Sequence, residues 1–271
     1  MGRSELRRAR SLISQALVLC WLLLLRPGPA VLADTGAATP GATAEVAVES
    51  LFATVLPAAA LPVAPITDFL LWRATIDPGV TVVFPPGYGQ CCPGPLLAHV
   101  LAGELTLRVE GPLQIVRAPT TATPGPVGTV RPGTDVTLHP GDSALWRFEL
   151  PTTFTNPGGT PLQMMSGGLF GGYAPGPLAG YQIPDFVEST PAPPLPPGAV
   201  TVELVRVHLP PGSELAAAPV GALRLALRES GAGVLERQAD GGIGNIGRAP
   251  IVVVVLTLFP HTGSGTLMPA L

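Results

Sequence analysis

The sequence predicts an all-β protein, and three observations predict it. First, 33 glycines and 34 prolines punctuate 271 residues that are 46% hydrophobic, so apolar residues fall in short blocks between turn formers. Such blocks read as strands joined by tight turns. Second, residues 104–110 alternate strictly: Leu105, Leu107 and Val109 share one face, and Thr106, Arg108 and Glu110 the other. A period of two is that of a half-buried strand. Third, no segment after residue 33 keeps an apolar period near 3.6.

The elements follow in order. Residues 1–33 read as an export signal. Arg3, Arg7, Arg8 and Arg10 precede an apolar run over 12–25, and Ala33 offers a small residue at the cleavage point. The run is short for a membrane span, so an uncleaved anchor is the lesser reading. Residues 34–45 are a leader of Ala, Thr, Gly and Pro. From there strands are expected over 70–76, 80–84, 104–110, 135–138, 143–148 and 161–165. Asp77-Pro78-Gly79 and His139-Pro140-Gly141-Asp142 serve as turns. Residues 171–198 hold eight prolines and read as a semi-extended connector. The strand pattern resumes at 200–209 and ends at the turn Pro210-Pro211-Gly212.

Charge excludes some partners. The net charge is -3, and all fifteen basic residues are scattered arginines, so no nucleic-acid footprint is present. Beyond the signal only Cys91 and Cys92 remain. Adjacent Cα atoms lie about 3.8 Å apart, below the usual disulfide span. Free thiols, a strained vicinal bridge and an intermolecular bridge all stay open.

The two halves echo each other. Residues 71–79 (Leu-Trp-Arg-Ala-Thr-Ile-Asp-Pro-Gly) align without gaps on 204–212 (Leu-Val-Arg-Val-His-Leu-Pro-Pro-Gly), and 105–108 align on 223–226. This order suggests duplication, with domains at 46–170 and 199–271.

Cys92-Pro93-Gly94 followed by His99-Val100-Leu101-Ala102-Gly103-Glu104-Leu105 resembles the first motif of the cupin superfamily. Residues 138–158, with Pro140-Gly141-Asp142 and Asn156-Pro157-Gly158, resemble the second. The resemblance implies a jelly-roll, or double-stranded β-helix, barrel, here in two tandem copies. In metal-binding cupins two His, a Glu and a third His hold the ion. The corresponding positions here are Gln90, Cys92, Leu96 and Thr152. Leu cannot ligate, and Gln and Thr are poor partners for a soft metal. The resemblance therefore supports the fold and speaks against metal chemistry; no cofactor is expected.

Other candidates are weaker. His99 stands three residues after Leu96, so a regular strand points it to the opposite face, as a satisfied or surface histidine. His139 and His208 are placed at turns, and His261 near the tail. Gly242 to Gly247 spell G-x-G-x-x-G, but Arg248-Ala249-Pro250 follows where a dinucleotide site needs a helix, so a loop is expected.

The expected function is that of an exported, non-catalytic cupin-like barrel. One reading places a small, mainly apolar ligand in a pocket lined by Gln90, Cys92, Leu96 and Thr152. A second is a cell-surface structural or interaction module with a filled barrel. A third is a metal-dependent oxygenase or isomerase with altered ligands. The destination is secreted or periplasmic, without nucleic acid, without membrane contact beyond the signal, as a monomer or homodimer.

Overall fold

The strands form because apolar residues alternate between Gly- and Pro-bearing turns. In chain order they are β1 (Ala47–Leu56), β2 (Asp68–Ile76), β3 (Thr81–Phe84), β4 (Pro95–Ala102), β5 (Leu105–Val109) and β6 (Leu113–Val116). Then come β7 (Val127–Val130), β8 (Val136–Leu138), β9 (Ser143–Arg147), β10 (Thr152–Thr155), β11 (Leu162–Phe170) and β12 (Tyr181–Ser189). The last are β13 (Val200–Leu209), β14 (Glu214–Leu215), β15 (Leu223–Gly231), β16 (Leu235–Arg237), β17 (Ile243–Asn245) and β18 (Ile251–Pro260). The structure is a computed structural model that describes residues 45–61, 68–84, 94–118, 126–171, 178–189, 195 and 197–263. Among them the only helical element is a 3₁₀ turn, Ala58–Ala60.

The first half is a two-sheet barrel. One sheet runs β3-β10-β5-β8, and the facing sheet runs β12-β2-β11-β4-β9-β6-β7, antiparallel throughout. The alternation of residues 104–110 is seen as expected. Leu105, Leu107 and Val109 are buried inward, while Arg108 and Glu110 pair in solvent at 2.8 Å. Strand β4 is buried on both faces from Pro95 to Val100, which is why its sequence is apolar there except for His99. Leu96, Ala98 and Val100 face the barrel interior. Leu97 and His99 face the other way, toward a second sheet.

That second sheet runs β1-β13-β18-β15, and a small sheet β14-β17-β16 faces it. Both orders repeat the first half: β13-β18-β15 matches β2-β11-β4, and β14-β17-β16 matches β3-β10-β5. Among the described residues nothing in the second half matches β6 to β9. Only the short link after Arg237 separates β16 from β17.

The match extends to single residues. Asn156 Nδ2 donates to Ile76 O (3.0 Å) and Thr160 O (2.8 Å), and Gly158 N–H donates to Asn156 Oδ1 (3.0 Å). Asn245 Nδ2 donates to Leu209 O (2.9 Å) and Ala249 O (2.8 Å), and Gly247 N–H to Asn245 Oδ1 (3.0 Å). Ile76 and Leu209 are the residues that the alignment of 71–79 on 204–212 equates. Gly79 and Gly212, both at φ 70°, each donate to the main-chain oxygen of the matching Asn. The positive φ is what a turn reversing this tightly requires of glycine. Thus G-x-G-x-x-G forms strand β17 and an Asn-centred turn, and not the loop expected for it.

The leading strands change places. β1 precedes β2 in the chain but pairs with β13 of the second half; β12 precedes β13 but pairs with β2 of the first. A matched pair of arginines holds each crossing strand. Arg73 lies opposite Asp185 of β12, 3.6 Å away, and Arg206 lies opposite Glu49 of β1, 2.8 Å away.

The structure departs from the sequence reading in several places. Tyr181–Ser189 of the proline-rich segment is a strand, because Tyr181 and Val187 supply buried apolar contacts between its prolines. Residues 47–56 belong by pairing to the second half's sheet. Leu223 to Ala226 occupy the place of β4 and not of 105–108, because β15 pairs with β18 as β4 pairs with β11. His208 lies within β13 rather than at a turn.

All described residues fall within one compact unit, Ala44–Leu271. Three cores result: inside the first barrel, between the two large sheets, and inside the second half. The middle core depends on Gly167. A Cβ there would stand 2.5 Å from Leu256 Cδ2 and 2.9 Å from Leu70 O.

Candidate functional site

The interior of the first barrel is the first candidate, because the expected pocket lies there. Leu96 reaches it from β4 and Thr152 from β10, so the two expected site residues in the described structure face one interior from opposite sheets. Gln90 and Cys92 lie outside the described residues. Leu96 is paired across β4 and β9 with Trp146. Thr152 sits opposite Phe84, and its hydroxyl donates to Leu150 O at 2.8 Å.

Rings occupy the space between. Phe84 packs edge-on against Phe154 (4.9 Å between centroids), Tyr181 (5.8 Å) and Phe148 (6.0 Å). Trp146 meets Phe154 at 5.7 Å, and Trp72 meets Phe170 at 5.7 Å. These edge-to-face contacts add to the apolar burial. Trp72 Nε1–H donates to the Tyr181 hydroxyl at 3.0 Å, and full burial pushes the Tyr181 pKa up. Trp146 Nε1–H is buried and has no hydrogen-bond partner among the described residues. An orphaned donor of this kind is costly and calls for an explanation.

A metal does not fit the described part of this site. Leu96 has no lone pair to offer, and the neutral Thr152 hydroxyl is a poor ligand for a soft metal. Among the described residues no three His, Cys, Asp or Glu side chains come together.

A second polar group lies between the large sheets. His99 is fully buried on the face of β4 opposite Leu96, as the three-residue spacing requires. Its Nδ1 is 2.9 Å from Ser143 Oγ, and Ser143 Oγ donates to Leu51 O at 3.5 Å. Its Nε2 has no partner among the described residues. Its pKa is lowered to about 4, first by burial and then by the Arg206 charge, with Asp142 opposing both. Arg206 holds Glu229 through Nε (2.6 Å) and Nη2 (3.0 Å), and this pair is the main cause of its raised pKa. Arg73 Nη2 donates to the main-chain oxygens of Arg228 and Glu229. Sequence reasoning missed the His99–Ser143 pair. The spacing gave the face, but nothing local says that a second sheet covers it.

The mouth of the second half is the third group. Arg224, at the start of β15, lines an open cleft of about 580 Å³ between residues 217–223 and 238–241. The sequence carries no local signal for this site, since its geometry depends on pairing across β15 and β18.

No protein-family profile and no curated protein matches the chain. Among solved structures, YhaK from Escherichia coli is 12% identical over 71% of this chain and 85% of that one, with a TM-score of 0.36. The bacterial pirin YhhW from Escherichia coli, solved with nickel(II), is 11% identical over 80% and 99%, with a TM-score of 0.31. A putative glyoxylate-induced protein from Pseudomonas aeruginosa is 14% identical over 84% and 96%, with a TM-score of 0.29. No activity transfers at such scores. The class is set by the strand orders β3-β10-β5-β8 and β2-β11-β4-β9, which define a cupin-type double-stranded β-helix.

Proposed function

We propose that the chain is an exported, non-catalytic cupin-like protein that works as a structural or interaction module, its first barrel filled by its own side chains. The observation that carries this is the fate of the ligand positions. Leu96 is buried beside Trp146, and the Thr152 hydroxyl is committed to its own Leu150 carbonyl. The packed rings of Phe84, Trp146, Phe148 and Phe154 support a filled interior.

In this reading the halves are tandem copies, the second reduced by loss of the β6 to β9 stretch. The shared strand order, the twin Asn turns and the twin arginine pairs support it. Exchange of β1 and β12 inside one chain does what a strand-exchanging homodimer does between chains, which favours a monomer.

A second reading keeps a small, mainly apolar ligand against Leu96 and Thr152, with Gln90 and Cys92 completing the pocket. The orphaned Trp146 Nε1–H favours it, as a donor for a ligand oxygen.

The test is metal and ligand content of residues 34–271. After exposure to Mn, Fe, Ni and Zn and removal of excess, elemental analysis should find far less than one ion per chain. A stoichiometric metal that disappears in Cys92→Ala would overturn the non-catalytic reading. Native mass spectrometry separates the other two: a retained small molecule supports the ligand, and the bare chain mass supports the filled module.

A further inference from the structure

We propose that the mouth of the second half is a binding site for a small organic monocarboxylate, held by the Arg224 guanidinium. The position comes from strand register. Leu96 pairs with Gly168 of β11, and Arg224 pairs with Thr257 of β18. Ile76 pairs with Leu162, and its counterpart Leu209 pairs with Ile251. Gly168 and Thr257 each lie six residues along their strands from those anchors, so Arg224 occupies in the second half the place of Leu96 in the first. Thr152 is likewise replaced by Gly241, counted back from Asn156 and Asn245. The loss of the strands equivalent to β8 and β9 leaves this mouth open, and both Arg224 and Gly241 line the resulting cleft of about 580 Å³.

The guanidinium is fixed but not neutralised. Nε donates to Thr257 Oγ1 (3.3 Å), and Nη1 donates to Ala216 O (2.7 Å) and Gly241 O (3.2 Å). Neutral acceptors thus hold the fork in one orientation. Among the described residues no carboxylate lies within ion-pair distance of it, and Nη2 is left for a ligand. Partial burial lowers the Arg224 pKa, with Glu203 opposing, which is the sign of a cation short of counter-charge. A rigid guanidinium is well suited to a planar carboxylate.

The remaining wall selects the rest of the ligand. Ala218, Pro219, Val220 and Ala239 give an apolar surface for a short hydrocarbon or aromatic body. Asp240 also lines the cleft, its Oδ1 accepting the Gly242 N–H at 2.9 Å. Its charge, with Glu203 near Arg224, disfavours a dianion such as phosphate against a single guanidinium. The proposal rests on reading the second half as a reduced copy of the first barrel, and it adds to that reading a ligand class and a place.

The experiment titrates residues 34–271 with sodium butyrate and sodium benzoate, following the Arg224 side-chain N–H resonances. Saturable shifts are expected from both, with none from methyl benzoate and weaker ones from inorganic phosphate. Arg224→Gln, followed through the backbone amide resonances of residues 217–223, should weaken benzoate binding about tenfold or more, the scale of one lost charge-assisted contact. Should that variant lose its fold by near-UV circular dichroism, Val220→Asp decides. Val220 is 99% exposed, so its replacement leaves the fold intact while adding a repelling charge and removing part of the apolar wall at the mouth. Weakened benzoate binding there supports the site. Unchanged binding in Val220→Asp, equal binding of methyl benzoate, or no saturable shift overturns it. These results test the cleft itself, whereas the stability of the Asn245 variants tests the twin turns on which the copy reading draws, so the two can fail separately.

Discussion

Acid should unfold this protein through His99. Its pKa falls from 6.5 to about 4 on folding, because burial penalises the charged ring and Arg206 repels it. The unfolded chain binds the proton first, so stability rises with pH across this window. The contribution of neutral His99 is complete above about pH 6.5, shrinks as pH falls toward 4, and is gone below it. At about 1.4 kcal/mol per pKa unit, the full swing is about 3 kcal/mol. That is a large share of the 5–15 kcal/mol typical of a folded protein. The assay is urea unfolding of wild type and His99→Leu at pH 7.5, 5.5 and 4. Leucine is apt because Leu227, the counterpart of His99 in the second half, is buried in the same core. The stability difference between the two proteins should narrow or reverse by about 3 kcal/mol as pH falls. A pH-independent difference, or an NMR titration of His99 with a midpoint near 6.5, would refute the reasoning.

Other outcomes follow from the same contacts. Asn156→Ala removes three hydrogen bonds to main-chain groups and Asn245→Ala four, in each case leaving two carbonyl oxygens without this donor. Each should cost about 2–3 kcal/mol by denaturation, and a neutral Asn245→Ala would count against the twin-turn reading. Gly167→Ala should destabilise by about 1–3 kcal/mol by overpacking. Leu256→Val in the same chain should recover only part of this, since Leu70 O also crowds the new methyl; full recovery would contradict that geometry. Arg206→Met should cost more when Glu229 is kept than when Glu229 is also replaced by Gln, because a half-buried carboxylate is stranded. A double-mutant cycle measures the difference, and simple additivity would show the pair to be inert.

The legible part of the fold was the part written in short-range pattern. The alternation at 104–110 and the turns at 77–79 and 210–212 each decide a local geometry, and β5, β2–β3 and β13–β14 followed. The Asn156 and Asn245 turns were visible only as letters, since a side chain that bonds two distant carbonyls leaves no periodicity. Strand exchange was hidden for the same reason: β1 and β12 look alike whether each stays beside its own barrel or crosses. The proline-rich stretch around β12 misled because Pro184 is tolerated at the irregularity between Gln182 and Asp185, on an edge strand. Of the candidate site, Leu96 and Thr152 were placed inward by motif register. The Arg224 cleft was out of reach because it depends on which strands are absent.

The crossing strands also set an order of events during synthesis. β1 leaves the ribosome first among the strands, yet the arginine that clamps it, Arg206, lies 157 residues beyond Glu49. β13 in turn needs β18, near the end of the chain. The first barrel is likewise incomplete until β12 arrives. Long-range pairings of this kind make folding slow, so the growing chain carries an unmatched edge on the first half until β12 is made and on the second until β18 is made.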